Sequence, residues 1–306
     1  MPGHVPVLRE EAVRLLVTDP RGTYVDATLG LGGHAAAILG SLSGEGGRVI
    51  GMDCDPAALS RTLAEPPAPA PRFVAVRARF SDMEGALDAL GIERVDGILA
   101  DLGLSSDQLD DASRGLAYSL DGPLDMRLDP SRPETADALV RRVDERELAR
   151  LLGEYGELPR ARAAAAALRR AAETTRPLTT RAVRDALSPL YPGPNRPRRL
   201  AQAFQALRVA VNRELSELES LLDAAASRVR PGGVLVVIAY HSLEDRMVKR
   251  TFAPPRPLDA WIPPVESPWI PLTRKPIRPA ASEVAQNPRA ASARMRAARR
   301  RGGPSC

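Results

Sequence analysis

The chain has 306 residues, 44% hydrophobic but only 4% aromatic, so a core for one large or two smaller domains must come mostly from Leu, Val, Ile and Ala. It has no apolar run of about 18 residues and no charged start followed by a long apolar stretch, so neither a membrane span nor a signal peptide is predicted and the expected compartment is the cytoplasm. Two cysteines, Cys54 and Cys306, offer neither a disulfide framework nor metal-ligand spacing, and no metal is expected. Of the net charge of +5, residues 253–306 carry ten Lys/Arg against three acids, leaving the other 252 residues at −2. Basic charge gathered in one segment points to a polyanionic partner, although a solubilising tail gives the same composition.

In chain order, an amphipathic helix is predicted over 10–16. Residues 24–27 read as a buried strand, 33–42 as a helix, 48–53 as a strand and 56–64 as a helix with Pro56 in its first turn. After a Pro/Ala loop, 73–79 is a strand, 81–90 a helix with Ser81 at its N-cap, and 95–101 a strand. Four βα units in about 100 residues predict an α/β, doubly wound parallel sheet. The rhythm then breaks: 105–210 holds helical patterns (135–152, 159–174, 179–190 and one from about 197 to 230) and no convincing strand. A fifth strand is expected at 233–239, after Pro231-Gly232-Gly233 has stopped the helix. The expected organisation is a discontinuous core, 1–104 with 211–306, interrupted by a helical domain at 105–210. Nine prolines between Pro254 and Pro279 argue against regular structure there. Trp261 and Trp269 in this stretch suit either stacking on bases or pinning a loop to the core.

Residues 24–34, Tyr-Val-Asp-Ala-Thr-Leu-Gly-Leu-Gly-Gly-His, set a glycine turn between a strand and a helix. Glycines allow close backbone approach to a ligand, and a helix start offers unpaired N–H groups and a positive dipole end. Asp53, at the end of the next strand, is placed to accept from two ribose hydroxyls. The third glycine position holds Ala35, so this turn alone fits NAD and S-adenosylmethionine equally. Open α/β sheets bind ligands beyond the C-terminal ends of their strands. Gly30–His34, Asp53, Phe80, Asp101 and residues 240–246 (Tyr-His-Ser-Leu-Glu-Asp-Arg) all fall there. Phe80 is placed to flank an adenine, Asp101 to face an amino group, and His241 to line a substrate pocket. His4 and His34 are the other two histidines.

Several longer blocks carry a specific resemblance. They are His4-Val-Pro-Val-Leu, Asp26-Ala-Thr-Leu-Gly-Leu-Gly-Gly-His34, residues 101–111 (Asp-Leu-Gly-Leu-Ser-Ser-Asp-Gln-Leu-Asp-Asp), Arg114-Gly-Leu, Asp121-Gly-Pro-Leu-Asp-Met-Arg127, Phe204-Gln-Ala-Leu-Arg208, Val211-Asn212, His241-Ser-Leu-Glu-Asp-Arg246 and Asn287-Pro-Arg289. In this order, and nearly end to end, the chain resembles the bacterial small-subunit rRNA (cytosine-N4) methyltransferase family, RsmH or MraW. The resemblance implies a class I S-adenosylmethionine-dependent methyltransferase fold, Rossmann-like, with an all-helical insertion after the fourth strand. It implies S-adenosyl-L-methionine as donor and a cytidine in the decoding centre of 16S rRNA, in the small ribosomal subunit, as acceptor. Carried over residue by residue, the cofactor contacts are Gly32, Gly33, His34, Asp53, Phe80, Asp101 and Gln108. The chain departs from the family at Gln202, Ala163, Ala166 and Ala291, where arginine is usual, and each loss removes a phosphate contact or ion pair.

Cytosine N4 is a poor nucleophile, because its lone pair is delocalised into the ring. Asp101 and His241 are the expected neighbours of the target amino group. The Asp/Asn-Pro-Pro-Tyr loop of many amino methyltransferases is reduced here to Asp101-Leu-Gly-Leu, so the stacking ring is expected from Tyr240. Ser242, Arg127, Arg294 and Arg296 complete the substrate-binding candidates. No membrane or protein partner is expected. A nucleotide-dependent oxidoreductase and a non-catalytic RNA-binding assembly factor are the competing readings.

Overall fold

The computed structural model describes residues 6–43, 46–254 and 266–302; His4, Trp261 and Cys306 lie outside the described residues. Two compact units are present, Met1–Gly103 with Ser216–Cys306, and Leu104–Leu215.

The first unit opens with α1 (Arg9–Leu16) and the wholly buried β1 (Thr23–Asp26). Then come α2 (Gly33–Gly40), β2 (Arg48–Asp53) and α3 (Pro56–Ala64), whose N-cap Asp55 accepts from the Ala57 N–H at 3.0 Å. β3 (Phe73–Arg77) leads into a 3-10 turn at Phe80–Asp82, then α4 (Met83–Ala89) and β4 (Val95–Asp101). Ser81 does not cap α4 as expected. It lies inside the 3-10 turn, where its N–H and hydroxyl donate to the Glu217 carboxylate at 3.0 and 3.2 Å.

The second unit is helical: α5 (Ser106–Asp110), α6 (Ala136–Arg142), α7 (Glu145–Gly156), α8 (Ala161–Thr174), α9 (Thr180–Leu187) and α10 (Arg196–Asn212). The pattern over 135–152 is two helices, because Val143 turns extended and Asp144 caps α7 by accepting from the Glu147 N–H at 2.7 Å. The long pattern from 197 breaks at Arg213, whose φ of 54° lies in the left-handed region, and resumes as α11 (Glu214–Arg228). Leu139, Val140, Leu148, Leu152, Leu168, Phe204 and Leu207 form the core of this unit. Its buried polar groups are tied. Asn212 accepts from the Leu128 N–H at 2.8 Å and donates to the carbonyls of Met126 and Arg208 at 2.8 and 2.9 Å.

The chain returns to the sheet as β5 (Val229–Ala239), followed by α12 (Ser242–Phe252), β6 (Trp269–Pro271), α13 (Ala281–Gln286) and β7 (Arg294–Arg300). Pro231-Gly232-Gly233 does not precede β5; it forms an irregularity inside the strand, which pairs with β4 on both sides of it. The sheet order is β3-β2-β1-β4-β5-β7-β6, parallel through β5 and antiparallel at β7 and β6.

The largest difference from the sequence reading concerns the basic end of the chain, read as a polyanion-binding or solubilising tail with no assigned strand. Arg294–Arg300 is a strand of the central sheet, hydrogen-bonded to β5 on one side and β6 on the other. Arg296 is 7% exposed and forms a two-toothed ion pair with Asp245, at 2.6 and 3.2 Å. Arg300 donates to the carbonyls of Ala226 and Pro268, with its guanidinium 6.0 Å from the ring centre of Trp269. Trp269 is itself fully buried against Phe252. These side chains hold the sheet together, which removes Arg296 from the substrate-binding candidates. None of the described helices is long and apolar enough to cross a membrane.

Candidate active site

β1, β2 and β4 each end in an aspartate, Asp26, Asp53 and Asp101, so three carboxylates reach the same edge of the sheet. Between β1 and α2 the chain makes the glycine turn. Gly30 and Gly32 have φ of +51° and +76°, a region open to glycine. A Cβ on Gly32 would lie 3.0 Å from the Thr62 methyl. The turn is fixed by its neighbours: the Gly30 N–H donates to Asp53 Oδ2 at 2.8 Å, and the Thr62 hydroxyl donates to the Gly30 carbonyl at 2.8 Å. Gly32 caps α2 without a side chain, so the first-turn N–H groups of Gly33 and His34 face outward without a side-chain cap. Asp53 also accepts from the Asp55 N–H at 2.8 Å through Oδ1, and burial lifts its carboxyl above the usual range. It also accepts from the Cys54 backbone, so three of its lone-pair sites are used and one acceptor position remains.

Beside this cradle is a second group of buried polar atoms. Asp26 is fully buried; Oδ1 accepts from the Thr28 N–H at 3.2 Å, and Oδ2 has no partner. Burial pushes its carboxyl up to about 6, against the attraction of His34. The Thr28 hydroxyl in turn accepts from the Asp101 N–H at 2.7 Å. His34 is 5% exposed, with Nε2 3.5 Å from Asp101 Oδ2. Burial lowers the imidazole's proton affinity, but the carboxylates of Asp101 and Asp26 outweigh it and hold His34 above its ordinary value. Asp101 Oδ1 is buried with no hydrogen-bond partner. Such atoms are uncommon in a folded protein and mark places where a ligand or water completes the set.

Tyr240 was expected as a free stacking ring. Its ring edge instead lies over Gly103, where a Cβ would come within 2.6 Å of it, and its hydroxyl is hydrogen-bonded to Asp101. Burial and then the Asp101 charge raise its phenol far above the normal range, so it remains a donor to that carboxylate.

His241 also departs from expectation. It is the N-cap of α12: Nδ1 accepts from the Glu244 N–H at 3.5 Å, and Nε2 lies 3.1 Å from Glu244 Oε1. Glu244 Oε2 closes the box by accepting from the N–H groups of Tyr240 and His241. A side-chain acceptor three residues before a glutamate at a helix start favours this arrangement. His241 thus caps α12 through Nδ1, while Nε2 is buried without a hydrogen-bond partner. Arg127 is likewise committed. Its guanidinium forks onto Asp125 at 2.8 and 2.7 Å and donates to the carbonyls of Pro130 and Arg132. It staples a loop and is not a free phosphate ligand.

Phe80 is half-buried at the start of the 3-10 turn after β3. Gln108 forms a capping box with Ser105, accepting from its N–H at 3.1 Å. Ser242 is the half-buried first residue of α12, and Arg294 the half-buried first residue of β7. The residues not anticipated are Asp26, Thr28, Thr62 and Gly103. Asp26 had one visible signal, a carboxylate ending an otherwise apolar strand.

A sheet parallel through five strands, with a glycine turn after the first, acids ending the second and fourth, and an antiparallel strand beyond the fifth, is the architecture of a Rossmann-like methyltransferase. The model of the MraW methylase family matches residues 1–301. The chain is 47% identical over 304 residues to the ribosomal RNA small subunit methyltransferase H of Sorangium cellulosum, covering 98% of this chain and 91% of that protein. It is 44% identical to the proteins of the same name from Anaeromyxobacter dehalogenans (96% of each chain) and Aromatoleum aromaticum (99% and 98%). The chain belongs to the MraW methylase family. That membership sets aside the oxidoreductase and non-catalytic readings.

Proposed function

We propose that the chain transfers a methyl group from S-adenosyl-L-methionine to N4 of a cytidine in the 16S rRNA of the small ribosomal subunit, in the cytoplasm. Family membership supports the reaction class. The observation that carries the site is the buried, unpartnered Asp101 Oδ1 beside the Gly30–His34 turn.

Gly32, the main-chain N–H groups of Gly33 and His34 at the helix start, Asp53, Phe80 and Asp101 would hold the donor. The bent glycine backbone and the remaining acceptor position of Asp53 fit such a ligand. When bound, the donor supplies a methyl activated by a positively charged sulfur. The protein's task is then to aim the N4 lone pair and receive one proton. Asp101 Oδ1 accepts a hydrogen bond from the amino group, which turns the lone pair out of conjugation with the ring. As the N4–C bond forms, the same oxygen takes the departing proton. Tyr240 and Thr28 fix this carboxylate, Tyr240 through its hydroxyl and Thr28 through the backbone. Fixed geometry of this kind is worth about 7–11 kcal/mol in favourable cases. The helical unit and exposed basic residues such as Arg274, Lys275 and Arg278, with Arg294 beside them, contact rRNA phosphates.

The test is incubation with labelled S-adenosylmethionine and small subunits lacking the modification, followed by nucleoside analysis. Label in N4-methylcytidine is expected. Label in another nucleoside, or none, overturns the assignment.

A further inference from the structure

We propose that His34 is the proton reservoir behind Asp101, tuned by the charge of the buried Asp26, so that the proton lost from the substrate amine is passed inward. This rests on the reading of Asp101 as the acceptor at N4.

The arrangement is geometric first. Asp101 Oδ2 faces His34 Nε2 at 3.5 Å, while Oδ1 is free for substrate. Neither nitrogen of His34 has a hydrogen-bond partner among the described residues, and neither does Asp26 Oδ2. Two buried titratable groups, Asp26 and His34, and the half-buried Asp101 with its buried Oδ1, thus come from β1, α2 and β4 with their pairing incomplete. An unpaired buried polar atom is destabilising, so a group of them at one site marks a place that a proton or ligand completes. Among the other charges facing the group, Arg9 opposes protonation of His34, and Asp53 raises Asp26. Tyr240, itself influenced by Glu244 and Glu283, donates to Asp101. Both carboxylates favour a proton on the His34 imidazole over one on Asp101 during turnover.

The steps balance. The N4–C bond forms as the C–S bond breaks, and the sulfur keeps the C–S electron pair. The N4–H bond gives its electrons back to nitrogen, and its proton moves to Asp101 Oδ1. The Asp101 carboxyl then turns about its Cβ–Cγ bond to bring the protonated oxygen to His34, and neutral His34 takes that proton at Nε2, which regenerates the carboxylate and leaves an imidazolium that the charges of Asp101 and Asp26 both favour. Release of that proton to solvent resets the site. His34 acts through Asp101 and is a positioning residue in this sense. The consequence is an acid limb in turnover: when His34 is already protonated, Asp101 has nowhere to discharge.

The chain contains three histidines, so imidazole NMR of the full-length protein gives three signals, and His34→Gln assigns one of them. The expected result is that His34 titrates above 6.5 and that the acid limb of kcat has the same midpoint. Asp26→Asn, which removes the charge and keeps the shape, is expected to lower both midpoints together by about one pH unit. In His34→Gln, kcat falls about 10–100-fold and the acid limb vanishes, while affinity for S-adenosylhomocysteine changes less than about threefold. An acid limb that stays in place in Asp26→Asn while the imidazole midpoint moves overturns the proposal. So does a limb that survives in His34→Gln. If Asp26→Asn does not fold, a wild-type kcat midpoint differing from the imidazole midpoint by more than about half a unit is decisive. A wild-type protein that makes no N4-methylcytidine defeats the proposed function instead, and the imidazole titration still reports on the cluster.

Discussion

The buried polar groups of the two units are treated in opposite ways. In the helical unit they are satisfied: Asn212 makes three hydrogen bonds, Arg127 uses its whole fork, and Arg114 donates to the carbonyls of Arg127 and Leu128. At the edge of the sheet, Asp26, His34, Asp101 and His241 all keep buried atoms without hydrogen-bond partners. A complete network specifies one conformation, whereas an incomplete one is held open at a cost in stability for something that comes and goes.

The largest test of this contrast is Asp101→Asn. Turnover should fall roughly 10²–10⁴-fold with the melting temperature nearly unchanged, measured by methyl transfer and calorimetry. A large loss of stability instead would place Asp101 with the structural networks. The converse is Asn212→Ala, which leaves two carbonyls and an N–H unpaired. It should lower the unfolding free energy by about 2–4 kcal/mol in urea titrations. An unchanged urea midpoint would show that the helical unit does not depend on its complete network.

Next comes Asp26→Asn. Burial raises this carboxyl from 3.8 to about 6, so the folded protein binds the proton more tightly than the unfolded chain. Its protonation favours the fold below about pH 4, and that contribution is lost as pH rises through 6. The substitution should therefore stabilise the protein by about 1–3 kcal/mol at pH 7.5 and by almost nothing near pH 4. Equal effects at both values would exclude an ionised buried Asp26. The smallest expected effect is that of Arg127→Ala, a loss of about 1–2 kcal/mol through the Asp125 pair and the loop carbonyls. The salt dependence of rRNA binding should not change; a slope reduced by about 0.7–0.9 would return Arg127 to the phosphate contacts.

Much of the sheet was legible because it depends on local signals. The spans of β2, α3 and β4 coincide with their apolar runs, and the glycine turn follows from backbone freedom. Distant pairing was not legible. Arg294–Arg300 reads as a charged tail until β5, more than 50 residues earlier, accepts it as a neighbour. His241 looked like a ligand because a histidine at a strand end often is one, yet Glu244 three residues on already carried the capping signal. Asp125 and Arg127 similarly lay close enough in sequence to suggest a local staple. Trp269 and Arg300 find each other only through the sheet.

β7 has a consequence for chain integrity. It covers Val234–Ala239 of β5, six successive apolar and buried residues. A polypeptide ending before residue 294 would expose that row as an unguarded border, with N–H and C=O groups ready to recruit another copy. The arginines of β7 thus serve partly as gatekeepers: a clipped or unfinished chain would betray itself by sticking before it could be noticed as inactive.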